Sequence, residues 1–301
     1  MQSFAGDRGR SGDQCRPGER DRLSHTFVLA REAARAALIG YLPAGFPSVD
    51  GGISAMLAMV EAGVEIVEIG LPYSDPTMDG PVIQAATGAA LSRGVTTRDV
   101  LRTVEAVAAT GVPTLVMSYW NPVERYGVTA FARDLAAAGG AGTITPDLPP
   151  EEAEPLLAAT AEVGLDPVFL VAPSSSDARI ARVAEVSRGF IYAASLMGVT
   201  GARSTLGAQA AGLVSRVRAI SDTPVGVGVG VGTPAQAAEV AGFADGVIVG
   251  SALVSALVDA DRAGDDPGAA AAAVRGTVAA LATGVRSGRA GPRPLPSGSA
   301  W

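Results

Sequence analysis

The carboxylates of this sequence best placed to move a proton lie in Val64–Pro81, VEIVEIGLPYSDPTMDGP. The run around Glu68 reads as a strand, on which Glu65 and Glu68 face opposite sides. Glu65 falls near the strand's start and Glu68 near its C-terminal end. A carboxylate inside an apolar strand is costly unless partnered. Burial also raises its pKa toward the range a general acid/base needs at neutral pH. The competing reading is a structural carboxylate paired with an arginine, and strand position alone does not choose between them. Asp75 and Asp79 follow on a segment punctuated by Pro72, Pro76, Gly80 and Pro81. Loop aspartates ordinarily make turns, but a loop shaped in this way can fold over and set one of them opposite Glu68. Asp147, in TPDLPPEE, ends a further strand. It either orients substrate or a loop, or caps the helix beginning near Glu151, a supporting role in each case.

Anion binding is the second chemistry the spacing suggests. GVGVGVGTP (Gly226–Pro234) and VGSALV (Val249–Val254) each carry a strand into a helix. Small residues there let backbone N–H groups approach an anion, and the helix dipoles favour negative charge. The plainer reading is that these glycines only turn the chain; two such turns in succession favour phosphate. GVTGARS (Gly198–Ser204), with Thr200 and Arg203, has the makings of a closing lid. Tyr192 either stacks on a planar substrate or belongs to the core, and Tyr41 and Tyr119 share that ambiguity.

What is missing narrows the chemistry further. All 23 basic side chains are arginine, with one histidine, His25, and one cysteine, Cys15. Without a lysine amine there is no Schiff base, so covalent pyridoxal phosphate (PLP) attachment and lysine aldolases are excluded, as is a P-loop. His25 falls in a polar tail, which argues against a Ser-His-Asp site and a His/Cys zinc site; no metal is expected. A net charge of -7 argues against a general nucleic-acid binder. One cysteine allows no disulfide within the chain, which fits a reducing compartment.

These residues need a scaffold, and the sequence supplies an alternating one. Strands are predicted at Ala37–Leu42, Glu65–Gly70, Thr114–Tyr119, Gly142–Asp147, Pro167–Val171, Gly189–Ala194, Pro224–Gly228 and Gly246–Gly250. Most are continuous apolar runs, as parallel strands covered on both faces require. Helical patterns lie between them, with Asp99, Ser175 or Ser176, and Thr233–Pro234 as helix starts. Eight such units within 301 residues predict an α/β fold, a single (β/α)8 TIM barrel. A doubly wound sheet is the rival, weakened by the lack of a G-x-G-x-x-G fingerprint. The two longest connections, Leu71–Gly80 and Ser195–Leu206, fall where barrels build active sites. The barrel is expected at 26–285, between a polar tail at 1–25, without the apolar stretch of a signal peptide, and a Gly/Pro/Ser-rich tail at 286–301. Ala269–Val285 reads as an Ala-rich packed helix rather than a membrane span.

The motifs then resemble a known family. VEIGLPYSDPTMDGPVIQ (Val67–Gln84) looks like the signature of the tryptophan synthase alpha chain. SYWNPVERYG, TPDLPPEE, YAASLMGVTGA, GVGVGTP and DGVIVGSA continue it in order, over roughly Ala37–Leu281. The resemblance implies retro-aldol cleavage of indole-3-glycerol phosphate to indole and glyceraldehyde 3-phosphate, without Schiff base or metal. It makes Glu68 the carboxylate that shuttles protons at the indole ring and the glycerol hydroxyl, and Asp79 the one that meets the indole N–H. Gly201, Gly230, Gly250 and Ser251 match phosphate-contacting positions. Thr200 matches a lid residue that orients Asp79, and Tyr41 and Tyr192 line the indole pocket. It further implies a beta-chain partner that holds PLP, an alpha2beta2 complex through which indole passes, no cofactor in this chain, and a cytoplasmic location. Phe46, Val229, Leu196 and Met197 depart from the commoner pattern. A stand-alone lyase and a weakly catalytic barrel that mainly activates a beta chain are the alternatives.

Overall fold

The computed structural model describes residues 22–194, 203–228, 230–264 and 267–288. Its strands are β1 (Ala37–Pro43), β2 (Ile66–Gly70), β3 (Thr114–Met117), β4 (Gly142–Ile144), β5 (Asp166–Val168), β6 (Leu170–Val171), β7 (Ile191–Ala194), β8 (Val225–Gly228) and β9 (Gly246–Val249). All pair in parallel, in the order β5-β4-β3-β2-β1-β9-β8-β7-β6. The two ends of that row, β5 and β6, are consecutive in the chain and separated only by Phe169. They are two halves of the one strand predicted at Pro167–Val171. The Tyr192 N–H still donates to the Phe169 carbonyl, 3.0 Å away. Nine segments therefore make eight barrel strands, and the expected (β/α)8 barrel is the observed fold.

Helices separate the strands, and their starts have local causes. Ser48 caps Val49–Glu61, with its hydroxyl accepting from the Gly51 N–H at 3.0 Å. Ser176 caps Asp177–Val186, and Thr233 caps Pro234–Ala241 as predicted. Asp99 is not a helix start: Thr96 is the cap of Thr97–Ala108, and Asp99 completes its capping box. Arg203–Arg218 begins before the expected end of the Ser195–Leu206 connection, which is shorter than predicted. Helices Arg22–Glu32 and Pro267–Ser287 run past the limits 26 and 285. Within Pro267–Ser287, the segment Gly268–Ser287 is apolar enough to cross a membrane by length and composition. In this fold it packs on Val49–Glu61, Pro234–Ala241 and Ser251–Arg262, burying Val274, Val278, Leu281 and Val285.

The side-chain period of two sorts the core into layers. Ile39, Ile66, Leu115, Ile144, Val168, Phe190 and Ile248 form one cluster inside the barrel. Their strand neighbours Val67, Ile69, Val116 and Val247 belong to the larger cluster beneath the helices. Two residues on from Ile39, Ile66, Leu115, Val168 and Phe190 come Tyr41, Glu68, Met117, Leu170 and Tyr192, the next layer toward the strands' C-terminal ends.

Helix Arg22–Glu32 closes the opposite end. Leu23, Phe27 and Ala30 are buried in the interior cluster, and the Phe27 ring lies 5.5 Å from that of Phe190. Gly189, at φ +73°, leaves room for it, since a side chain there would overlap Leu23. At the same end both Arg35 amino groups bond the Glu65 carboxylate, at 2.6 and 2.7 Å, and the Leu38 N–H adds a third bond at 3.2 Å. Glu65 is thus the structural carboxylate of the pair. His25 sits on an exposed turn of this helix rather than in a tail.

Candidate active site

A cavity of about 750 Å³ opens at the C-terminal end of the barrel. Tyr41, Met117, Leu170, Tyr192 and Ile248 line it from the strands, Asp79 and Gly80 close it from the connection after β2, and Ile83 from the helix that follows, Pro81–Ser92. Gly228, Gly230, Gly250 and Ser251 form a wall of small residues. This is the apolar, part-polar cavity expected of a small-molecule site.

Glu68 lies at the centre of β2, fully buried, and neither carboxylate oxygen has a hydrogen-bond partner among the described residues. Desolvation pushes its pKa up to about 8, so the carboxyl is mostly protonated at neutral pH. The arginine-paired alternative thus applies to Glu65 and not to Glu68. An unpartnered buried acid is a cost to the fold, and a group of this kind in the residue layer that lines a cavity is a functional-site signal.

Asp79 is part-buried. Burial pushes its carboxyl up, and the hydrogen bond from the Tyr119 hydroxyl pulls the other way. Tyr119 also accepts from the Met78 N–H at 2.9 Å, and its ring lies 5.4 Å from that of Tyr73. Asn121 donates to the Tyr73 hydroxyl at 3.1 Å. The connection Leu71–Gly80 is thus clasped to the segment after β3, and the clasp fixes Asp79. Asp75 is exposed, bonded by its neighbour Ser74, and does not line the cavity.

Tyr41 and Tyr192 are both held well above the usual phenol pKa, chiefly by burial and then by the charges of Glu68 and Asp79. Each tyrosine feels both carboxylates, so the four groups lie near one another. Gly250 lies against Tyr41, 3.3 Å from the ring to where a side chain would begin.

The two glycine turns differ. Helix Pro234–Ala241 has its N-terminus taken by its own capping box, and Gln236 also accepts from the Gly232 N–H at 2.9 Å. Helix Ser251–Arg262 starts at Gly250 with no side-chain cap, at the cavity wall. The first turn brings Gly230, at φ +71°, to the cavity. The uncapped N-terminus at Gly250–Ser251 is therefore the one of the two that leaves its backbone N–H groups open at the cavity, with Gly230 also on the wall.

Asp147 lies elsewhere. β4 stops at Ile144, and the exposed Asp147 carboxylate accepts from the Trp120 N–H at 2.8 Å. It caps the helix Trp120–Tyr126 of the neighbouring unit, not the one near Glu151. Thr200, Gly201, Leu196, Met197 and Val229 lie outside the described residues. The sequence reading missed Met117, Leu170 and Ile83, and left Tyr119 ambiguous. The step of two from Leu115 and Val168 was the signal available for the first two.

A barrel with a cavity at the C-terminal end of its strands, an unpartnered buried acid in the residue layer that lines it, a second carboxylate in its wall and an uncapped helix start beside it defines the class of (β/α)8 barrel enzymes. The family model described as tryptophan synthase alpha chain matches residues 27–282. The tryptophan synthase alpha chain of Salinispora arenicola is 61% identical over 268 residues, covering 88% of this chain and 99% of that one. That of Mycobacterium tuberculosis (strain ATCC 25177 / H37Ra) is 59% identical over 241 residues, 80% of this chain and 89% of that one. Among solved structures, tryptophan synthase from Mycobacterium tuberculosis superposes with a TM-score of 0.81 at 57% identity, covering 88% and 98% of the two chains. Tryptophan synthase subunit alpha from Legionella pneumophila gives 0.80 at 35% identity over the same shares. The chain belongs to the tryptophan synthase alpha chain family. It is a lyase that cleaves indole-3-glycerol phosphate, and an alpha chain needs no cofactor of its own.

Proposed function

We propose that Glu68 and Asp79 carry the cleavage, with the phosphate at the Gly250–Ser251 helix start. The observation that carries this reading is the buried, partnerless Glu68 carboxyl, protonated near neutrality in the same residue layer as Tyr41 and Tyr192, which line the cavity together with Asp79. Asp79 accepts from the indole N–H and stabilises the positive charge that develops when the ring is protonated. Glu68 delivers its proton to indole C3, which turns the ring into an electron sink. As a carboxylate it then takes the proton of the glycerol hydroxyl next to the scissile bond. The C–C electron pair returns to the ring, and the hydroxyl carbon becomes the aldehyde of glyceraldehyde 3-phosphate. The net transfer is one proton from oxygen to carbon, so no metal or second substrate is needed. Tyr41 and Tyr192 hold the indole; Gly201, Gly230, Gly250 and Ser251 hold the phosphate; Thr200 steadies Asp79 from the lid; Asp147 supports the rim.

The same reading gives the chain a tryptophan synthase beta chain as partner, in an alpha2beta2 complex that hands indole onward in the cytoplasm. PLP would sit in that beta chain, because a chain without lysine has no amine side chain to bind it as a Schiff base. The catalytic unit then includes helices Arg22–Glu32 and Pro267–Ser287, so it runs past the limits 26 and 285. Cleavage by the purified chain, followed as glyceraldehyde 3-phosphate with and without a beta chain, tests both parts. We expect slow cleavage alone that rises within the roughly 5–150-fold range of ordinary inter-site coupling. Fast cleavage indifferent to the beta chain would instead mark a stand-alone lyase, and no cleavage in either condition would leave only a binding subunit.

A further inference from the structure

The mechanism needs Asp79 in one place, yet Asp79 sits on a connection without regular structure. The element directly after it is a helix. Gly80 is the N-cap of helix Pro81–Ser92, and the Gln84 side chain donates to the Asp79 carbonyl at 2.9 Å. Asp79 is therefore fastened to the first turn of that helix. Ala86 and Ala90 are fully buried along its length, in the same core cluster as Phe46. At its far end Arg93 places its guanidinium 5.7 Å from the centre of the Phe46 ring, within cation–π range. Gly94, at φ +82°, then reverses the chain and sets Val95 against Gly45, where no side chain would fit. Phe46 is itself only 4% exposed, and the Ala44 N–H beside it donates to the Gly70 carbonyl at the end of β2, 2.9 Å away. So the helix is held at one end by the segment after β1 and carries Asp79 at the other.

We propose that Phe46 and Arg93 are positioning residues for Asp79, acting through helix Pro81–Ser92 as a rigid arm. This rests on the role proposed above for Asp79. Neither residue lines the cavity, so neither touches substrate. Loss of the anchor lets the arm shift, and a misplacement of a catalytic group by about 1 Å is enough to cost a large factor in rate.

The test is a double-mutant cycle read as single-turnover cleavage at enzyme excess, which keeps slow variants measurable. Phe46→Ala is expected to lower the rate about tenfold, and Arg93→Met, at an exposed site where unfolding is no concern, about threefold. In the Asp79→Asn background neither substitution should lower the rate further, because the group they position is gone. Phe46→Leu, which restores apolar bulk, should recover most of the loss. Equal fold-losses in both backgrounds would overturn the proposal and leave Phe46 and Arg93 as general supports of the barrel. An Asp79→Asn variant with the wild-type rate would instead remove the role assigned to Asp79, which separates the two failures.

Discussion

Replacing Glu68 with glutamine lowers cleavage by about 10²–10⁴-fold, the usual worth of a positioned general acid/base, and makes the protein more stable as pH rises. The two effects share one cause. Burial raises the Glu68 pKa from 4.5 to about 8, so the folded chain holds a proton that the unfolded chain has lost between those values. The stability this group contributes is fully present below pH 4.5 and lost as pH rises through 8. Glutamine has the shape of the neutral acid and loses nothing over that window. The stability difference between variant and wild type therefore grows from near zero at pH 4.5 to about 3–5 kcal/mol above pH 8. Thermal melts of both proteins at pH 5 and pH 9 check this, together with turnover. A wild-type rate, or a stability gap that stays constant with pH, would remove Glu68 from the chemistry. The expected trade, activity lost and stability gained, is what an acid kept without partners for function should show.

Phe190→Ala is the largest expected loss of stability. The ring is fully buried between Phe27 of the closing helix and Tyr192 of the cavity, with centroids 5.5 and 6.3 Å away. Gly226 approaches it so closely that a side chain there would begin 3.0 Å from the ring. No neighbour is free to fill the space, because the barrel strands fix the backbone on every side. The cost is therefore about 3–5 kcal/mol, as for large aromatic truncations in rigid cores, and the melting midpoint falls on the order of 10 °C. Tyr192 loses its support, so KM for indole-3-glycerol phosphate should rise as well. A drop below about 1 kcal/mol would mean that helix Arg22–Glu32 collapses into the gap and that the closed end is more plastic than the packing implies.

The barrel was legible because its strands are continuous apolar runs separated by helical patterns, and that alternation needs no distant information. Glu68 was legible for the same reason: an acid in an apolar strand stands out. The ends of strands were less so. Asp147 reads as a strand terminus in sequence, but β4 stops at Ile144 once the chain turns to let Asp147 cap Trp120–Tyr126. The split at Phe169 was invisible, because a local bend in one strand leaves its apolar pattern intact. His25 and Leu23 read as tail because the helix that holds them is short of apolar residues and is stabilised by closing the barrel, a tertiary effect. Tyr119 could not be assigned from sequence either. Its work on Asp79 and Met78 joins positions some forty residues apart, and only the closed barrel brings them together.

In the proposed mechanism a protonated Glu68 begins the reaction, and the pH dependence of kcat/KM tests this most directly, since that profile reports the free enzyme's ionisations. The expected kcat/KM for indole-3-glycerol phosphate holds level through neutral pH and falls about tenfold per pH unit above a midpoint near 8. A profile that stays level through pH 9.5 while the protein remains folded would contradict it, because the acid required for the first proton transfer would by then be gone.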